Sequence, residues 1–130
     1  MALVVPNASE VEMLNRIVTY EGSKLKLYTN NYTPVKGSTV GNFTECAAAG
    51  YAAKSLATGS WSTATGGGGT SASTYAEQEF AIATAVSCYG YFITNSAASV
   101  LLWAEIFTGA PFTLPAGGGS IKVTPYLGLD

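Results

Sequence analysis

The stretch Tyr89-Gly-Tyr-Phe-Ile-Thr94, followed by Val100-Leu-Leu-Trp-Ala-Glu-Ile-Phe107, decides the fold class. Both segments are rich in the aromatic and β-branched residues that favour strands. In the first segment, alternate residues fall on opposite faces, which is the period of two typical of a strand. In the second segment both faces are apolar. We therefore expect this strand to be central in its sheet, or covered on its second face by a partner.

Similar short segments recur along the rest of the chain, and clusters of glycine, proline and asparagine separate them. There is no alternation of strands with helices that would favour a parallel sheet. The spacing instead predicts an all-β fold, an antiparallel β-sandwich of jelly-roll-like type, with a partly open barrel as the alternative. The glycine-rich loop over residues 65–73 is expected to join two strands and to be mobile. The further strands are predicted at residues 24–29, 50–56, 61–65, 73–82 and 121–125.

One short helix is predicted near the N-terminus, over residues 9–18. Ser9 and Glu12 have the spacing of a capping box, in which each side chain satisfies the backbone N–H of the other residue. Residues 1–8 then form an N-terminal arm, and residues 9–130 form a single β-sandwich domain. The apolar side chains that share one face of this helix are Val11, Leu14, Ile17 and Val18.

Reactive side chains are scarce in this sequence, which has no histidine, six basic residues and eight acidic residues. Histidine is the commonest general base and metal ligand near neutral pH. Glu77 and Glu79 have a spacing that overlaps that of glycosidase carboxylates, but we interpret them as a solvated strand face. We therefore predict a protein that is not an enzyme, with no catalytic residues, no cofactor and no metal site.

Composition favours contact with other proteins. Charged residues are 11% of the chain, less than half of the ~25% typical of soluble domains. The net charge is −2, and the basic residues are scattered, so nucleic-acid binding is not expected. No apolar run is long enough to cross a membrane.

A surface with little charge indicates assembly with other chains, and we expect a homo-oligomer, either a dimer or a trimer. The predicted partner-contact residues form the apolar arm: Ala2, Leu3, Val4, Val5 and Pro6.

The aromatic residues admit two interpretations, a carbohydrate platform or the core and protein interfaces, and we favour the second. Cys46 and Cys88 are expected to be unlinked thiols in a reducing compartment, because no signal-peptide pattern or metal-binding spacing accompanies them.

The strand faces also predict which side chains are mostly buried. They are Leu27, Tyr51, Phe80, Ile82, Tyr91, Ile93, Leu102, Trp103 and Val123.

Several motifs, taken in order, resemble small virion proteins of tailed bacteriophages. They are the opening Met-Ala-Leu-Val-Val-Pro-Asn, Leu25-Lys-Leu-Tyr-Thr-Asn30, Gly50-Tyr-Ala-Ala-Lys54, Tyr89-Gly-Tyr-Phe-Ile-Thr94, Leu101-Leu-Trp-Ala-Glu105 and Pro115-Ala-Gly-Gly-Gly-Ser-Ile-Lys-Val-Thr-Pro125. The resemblance covers most of the chain. The glycine-rich stretch at residues 65–73 is longer than this family pattern would lead one to expect.

The resemblance implies a capsid decoration, or cement, protein. Such a protein would bind the major capsid protein on the outer surface of the assembled head and stabilise the contacts between capsid subunits. Its location would be the virion, after assembly in the host cytoplasm. The alternative function is that of a tail, baseplate or fibre component, which could contact host glycans.

Overall fold

The computed structural model describes residues 1–129 and contains one α-helix and eleven strands within them. The helix α1 spans Asn7–Thr19. Short 3₁₀ turns lie at Val40–Asn42 and Thr58–Ser60. In chain order the strands are β1 Ser23–Tyr28, β2 Lys54–Leu56, β3 Ser62–Thr65, β4 Ser71–Thr74, β5 Gln78–Ile82, β6 Val86–Cys88, β7 Gly90–Asn95, β8 Leu101–Ile106, β9 Phe112–Leu114, β10 Gly119–Val123 and β11 Tyr126–Leu129.

The largest sheet has four antiparallel strands in the order β2-β1-β7-β8. Strand β7 is buried along its first five residues. Strands β1 and β8 pair with its two edges, and the two core clusters cover its two faces. The expectation that residues 100–107 form a central strand is wrong, since β8 lies at the edge of this sheet. The same chain covers both faces of β8. Leu102 and Trp103 pack against one core cluster, and Leu101 and Ala104 pack against another.

A second layer, the antiparallel pair β5–β10, closes the main core. Its side chains join those of β1 and β7 in one cluster, so the predicted antiparallel sandwich is confirmed. Of the predicted core residues, Leu27, Phe80, Ile82, Tyr91, Ile93 and Val123 are buried. Tyr51, Leu102 and Trp103 are only partly buried and pack around the edge of this cluster.

A smaller aromatic cluster covers the other face of the large sheet. The Phe43 ring stacks on Phe92 with 4.8 Å between centroids, and it meets Tyr28 edge-on at 4.9 Å. The Tyr28 hydroxyl donates a hydrogen bond to the Tyr32 carbonyl at 2.9 Å. The loop between β1 and β2 therefore folds back over the sheet and shields it.

The helix packs on a third sheet, β11-β4-β3, and two details of its prediction are wrong. Pro6 is the N-cap, with no side-chain cap hydrogen bond, so the helix begins before the proposed capping box. Ile17 remains 43% exposed. The buried stripe is Glu10, Leu14 and Val18; these residues are spaced four apart and face β4, whose small serines allow close approach.

Two predicted strand boundaries also change. Residues 73–82 form two strands in different sheets, β4 and β5, with a break at residues 75–77. Within residues 50–56, only Lys54–Leu56 is a strand. The glycine loop is a hairpin connection between β3 and β4, as predicted. Its turn is closed by hydrogen bonds from Gly66 N to Thr70 O at 2.9 Å and from Gly69 N to Gly66 O at 3.0 Å.

Candidate interaction surface

The N-terminal arm is extended and exposed. Leu3 is 93% exposed, Val4 76% and Val5 41%. Pro6 has φ −63° and ψ 151°, and its carbonyl accepts the Ser9 and Glu10 amides that begin the helix. Because the helix begins at Asn7, the arm outside it consists of residues 1–6. The structure thus leaves the side chains predicted for partner contact open to solvent.

The helix extends this apolar exposure. Met13, Ile17 and Tyr20 are 45%, 43% and 85% exposed, and their i, i+4, i+7 spacing places them on one side of the helix. Residues 3–5 of the arm, together with Met13 and Leu129, line a cleft of about 440 Å³. We call the set Leu3, Val4, Val5, Met13, Ile17 and Tyr20 the arm–helix surface.

Exposed large hydrophobic side chains are concentrated at this end of the molecule. Over residues 1–129, seven of the eleven that are exposed lie within the first 20 residues. Single exposed apolar residues are ordinary on a protein surface, whereas a contiguous apolar patch marks a site of contact. The arm–helix surface is therefore the best candidate for an interface.

A second feature is the open edge of β8. Residues 101–104 form one wall of a groove of about 470 Å³, and the loop at Pro34, Val35, Lys36 and Ser38 forms the other. Val35 is 65% exposed. We call this feature the β8 groove.

Several polar side chains near β1 are engaged in structural contacts. The Tyr51 hydroxyl donates to Glu45 Oε2 at 2.9 Å and accepts the Leu27 amide. Burial, and then the hydrogen bond to Glu45, raise the pKa of Tyr51 well above its usual value. Lys26 Nζ lies 3.4 Å from Glu45 Oε1. These contacts attach the segment after β1 to the large sheet.

The carboxylates noted in the sequence line neither the cleft beside the arm nor the β8 groove. Glu77 precedes β5, which begins at Gln78. Glu79 is 3.9 Å from Lys122 Nζ and accepts the Ser120 hydroxyl at 3.3 Å. Glu79 therefore lies on the solvated strand face that the sequence indicated, whereas Glu77 is exposed and lies outside the strand. Over residues 1–129, no group of three or more histidine, cysteine, aspartate or glutamate side chains is arranged to hold a metal ion.

The two cysteines are buried free thiols, which confirms the prediction that they are unlinked. Both belong to the main core cluster. Burial, and then the neighbouring Cys46 thiol, raise the pKa of Cys88 to about 12. The Cys88 thiol therefore remains protonated and unreactive in the folded protein.

Most aromatic side chains that were candidates for a sugar platform belong to the packing of the protein. Tyr28 and Tyr91 are buried. Trp61 packs edge-on against both Tyr75 and Trp103, with centroids 5.1 and 5.8 Å apart. The interpretation as core fits this arrangement better than a platform does.

Two parts of the candidate surface are missed by sequence reasoning. The first is the exposed apolar stripe of the helix. The sequence places Ile17 on the core face, although the spacing of Met13, Ile17 and Tyr20 marks a second apolar face. The second is the β8 edge, because an apolar run does not reveal the strand order.

Searches against protein-family models, curated proteins and solved structures find no match to this chain. Within residues 1–129, α1 falls short of the length and hydrophobicity that a membrane span requires.

Proposed function

We propose that this chain is a bacteriophage capsid decoration protein, which attaches to the outer surface of the assembled head and stabilises contacts between major capsid subunits. The observation that supports this proposal most is the concentration of exposed apolar side chains on the arm–helix surface. The ordered motifs that resemble small virion proteins supply the identity of the partner. A β-sandwich with exposed apolar side chains on one surface suits a protein that is added to a preformed shell.

The physical basis of stabilisation is linkage. A protein that binds the assembled shell, and not its separated subunits, shifts the equilibrium toward assembly by RT ln(1 + [L]/Kd) at each site. At a free concentration of 100 Kd this is about 2.7 kcal/mol per site. Repeated over many sites, this free energy opposes the outward pressure of packaged DNA.

The experiment uses heads of the encoding phage that lack this protein, incubated with the purified full-length chain and recovered by sedimentation. The wild-type protein is expected to sediment with heads and to raise the temperature at which they release DNA. The variant Ile17→Asp places a charge on the arm–helix surface, at a side chain that is 43% exposed. It is expected to bind at least about tenfold more weakly, a loss of ~1.4 kcal/mol.

The matched control is Phe112→Asp, because Phe112 is an apolar residue 49% exposed outside the arm–helix surface. This variant should bind as the wild type does. Equal binding by both variants would contradict the proposed surface. Failure of the wild type to bind heads, together with binding to isolated tails, would replace the capsid proposal with the tail alternative.

A further inference from the structure

Strand β8 forms an open edge of the large sheet. It is six residues long, contains no lysine or proline, and has a single charge at Glu105. Its one irregularity is at Leu102, where the register with β7 shifts, so that Trp103–Ile106 is the regular part of the edge. Natural sheets protect such edges with short strands, lysine, proline or bulges, because unpaired backbone groups recruit other strands. The Glu105 carboxylate is also engaged, since it accepts the Tyr91 hydroxyl at 2.8 Å. It therefore gives the edge little protection.

Three other edge strands, β2, β3 and β11, are less suited than β8 to pairing with an added strand. At the opposite edge of the same sheet, β2 has only three residues and includes Lys54. Strand β3 consists of serine, threonine and alanine, and β11 includes Gly128, which weakens a strand. Among these edges, β8 is the longest and most apolar.

The hydrogen-bond pattern shows which backbone groups face the open edge. The Leu27 carbonyl accepts the Cys46 amide, so Leu27 directs this group away from β7. Tyr91, opposite Leu27, then directs its backbone groups toward Glu105 on β8. Because hydrogen-bonded and non-hydrogen-bonded pairs alternate in an antiparallel ladder, the N–H and C=O of Ala104 face outward. They point to the side on which a further strand would pair.

The N-terminal arm has the complementary properties. Residues 2–5 are uncharged, include two β-branched valines, and make no hydrogen bond within the described part of the chain. Four extended residues span about 13 Å, which fits within the ~20 Å of a six-residue strand. Pro6 ends the segment, because proline lacks the N–H that a longer ladder would need.

The molecule exposes more surface than a compact chain of its mass, enough for an interface with another copy. The accessible surface is 7178 Å², whereas a compact monomer of this mass exposes roughly 6,500 Å². The excess of about 700 Å² approaches the ~800 Å² that each partner buries in a standard interface. In its own molecule the arm lies beside Met13 and Leu129, where Leu3 remains almost fully exposed.

We propose that the arm of one copy, residues 2–5, pairs as an added strand with the β8 edge of a second copy. If two copies exchange their arms with each other, a closed dimer forms. If each copy gives its arm to the next copy, a small ring forms. The added strand would fill the β8 groove and cover Val35. This inference goes beyond the proposed function and gives a structural form to the homo-oligomer that the sequence predicts. Exchange of the arm leaves Met13, Ile17 and Tyr20 exposed for contact with the capsid. The inference is tested on the free protein, so its failure leaves capsid attachment as a separate question.

The test combines mass measurement in solution with hydrogen exchange at single amides, from micromolar to millimolar protein. The wild type is expected to self-associate, and the Ala104 amide should exchange at least about tenfold more slowly in the oligomer than in the monomer. The variant Val4→Asp is expected to stay monomeric with a fast-exchanging Ala104 amide. Val4 is 76% exposed, so this change leaves the fold intact. Phe112→Asp is the matched control and should behave as the wild type.

Three results would overturn the proposal. The first is a wild-type protein that is monomeric over the whole concentration range. The second is an oligomer in which the Ala104 amide exchanges as fast as in the monomer. The third is protection of Ala104 that persists in Val4→Asp, which would show that something other than the arm, such as a second β8, pairs with the edge.

Discussion

Replacing Gly90 by alanine probes the point where β1, β7 and β8 approach most closely. Gly90 begins β7 and lies opposite both Tyr28 and Ile106. A Cβ atom at this position would overlap the backbone carbonyl oxygen of Glu105, and it would lie 2.7 Å from the Tyr28 hydroxyl oxygen. Neither neighbour can move easily, because one is strand backbone and the other is hydrogen-bonded to Tyr32.

The magnitude follows from two opposing effects. Removing a glycine from a strand stabilises the fold by about 0.5–1 kcal/mol through the entropy of the unfolded chain. Overpacking a tight site costs about 1–3 kcal/mol, and more when backbone must shift. Since the contact here is with backbone, the cost dominates. We expect Gly90→Ala to lower the free energy of unfolding by about 2 kcal/mol or more.

The assay is urea unfolding followed by tryptophan fluorescence, with Gly59→Ala as the matched control. Gly59 lies in a short helical turn, and a Cβ atom added there would meet no other atom within 4 Å. The control variant should therefore be neutral or slightly stabilised, by about 0.4–1 kcal/mol at most. If Gly90→Ala were as stable as Gly59→Ala, the close packing of the three strands would be refuted.

The other predictions concern buried polar groups. Cys46 and Cys88 should resist maleimide in the native state and react after unfolding in denaturant; rapid labelling of the folded protein would contradict their burial. Replacing Glu10 by alanine removes the acceptor of the Ser71 hydroxyl, 2.9 Å away, and should cost about 1–3 kcal/mol in urea unfolding. Glu10→Gln retains an acceptor and should lose less, so equal losses would count against the hydrogen bond. Burial raises the pKa of Tyr28 from 10.0 to about 12, so the folded protein keeps a proton that the unfolded chain releases near pH 10. Stability should therefore be complete below about pH 10 and fall toward pH 12 by up to ~1.4 kcal/mol per pH unit for each such group. A flat stability curve from about pH 9 to 12 would contradict this. The tyrosines whose pKa is raised in this way are Tyr28, Tyr51 and Tyr91.

Much of the β architecture is predictable because alternation is a local signal. Leu25 and Leu27 alternate with lysines, and this pattern predicts β1 within one residue of its observed bounds. The burial of Phe80 and Ile82 follows from the same period of two. The sheet order is not predictable in this way, because the pairing of β7 with β1 and β8 depends on contacts between distant segments.

Only the arm of the candidate surface can be predicted from the sequence. The arm can be recognised because residues 2–6 are apolar and precede the helix. The helix boundary differs from its prediction because Pro6 supplies the first acceptor carbonyl, so that the helix begins without the Ser9–Glu12 capping box. The burial of Glu10 is not evident from the sequence, because its partner Ser71 lies 61 positions away.

The proposed function implies that this chain is part of a bacteriophage particle, and a cryo-electron microscopy reconstruction of that particle tests the proposal most directly. The capsid proposal predicts density for this sandwich on the outer surface of the head, at sites repeated with the lattice of the major capsid protein. The arm–helix end should face the neighbouring subunits. Heads without such density, with the chain present in a few copies in the tail alone, would contradict it.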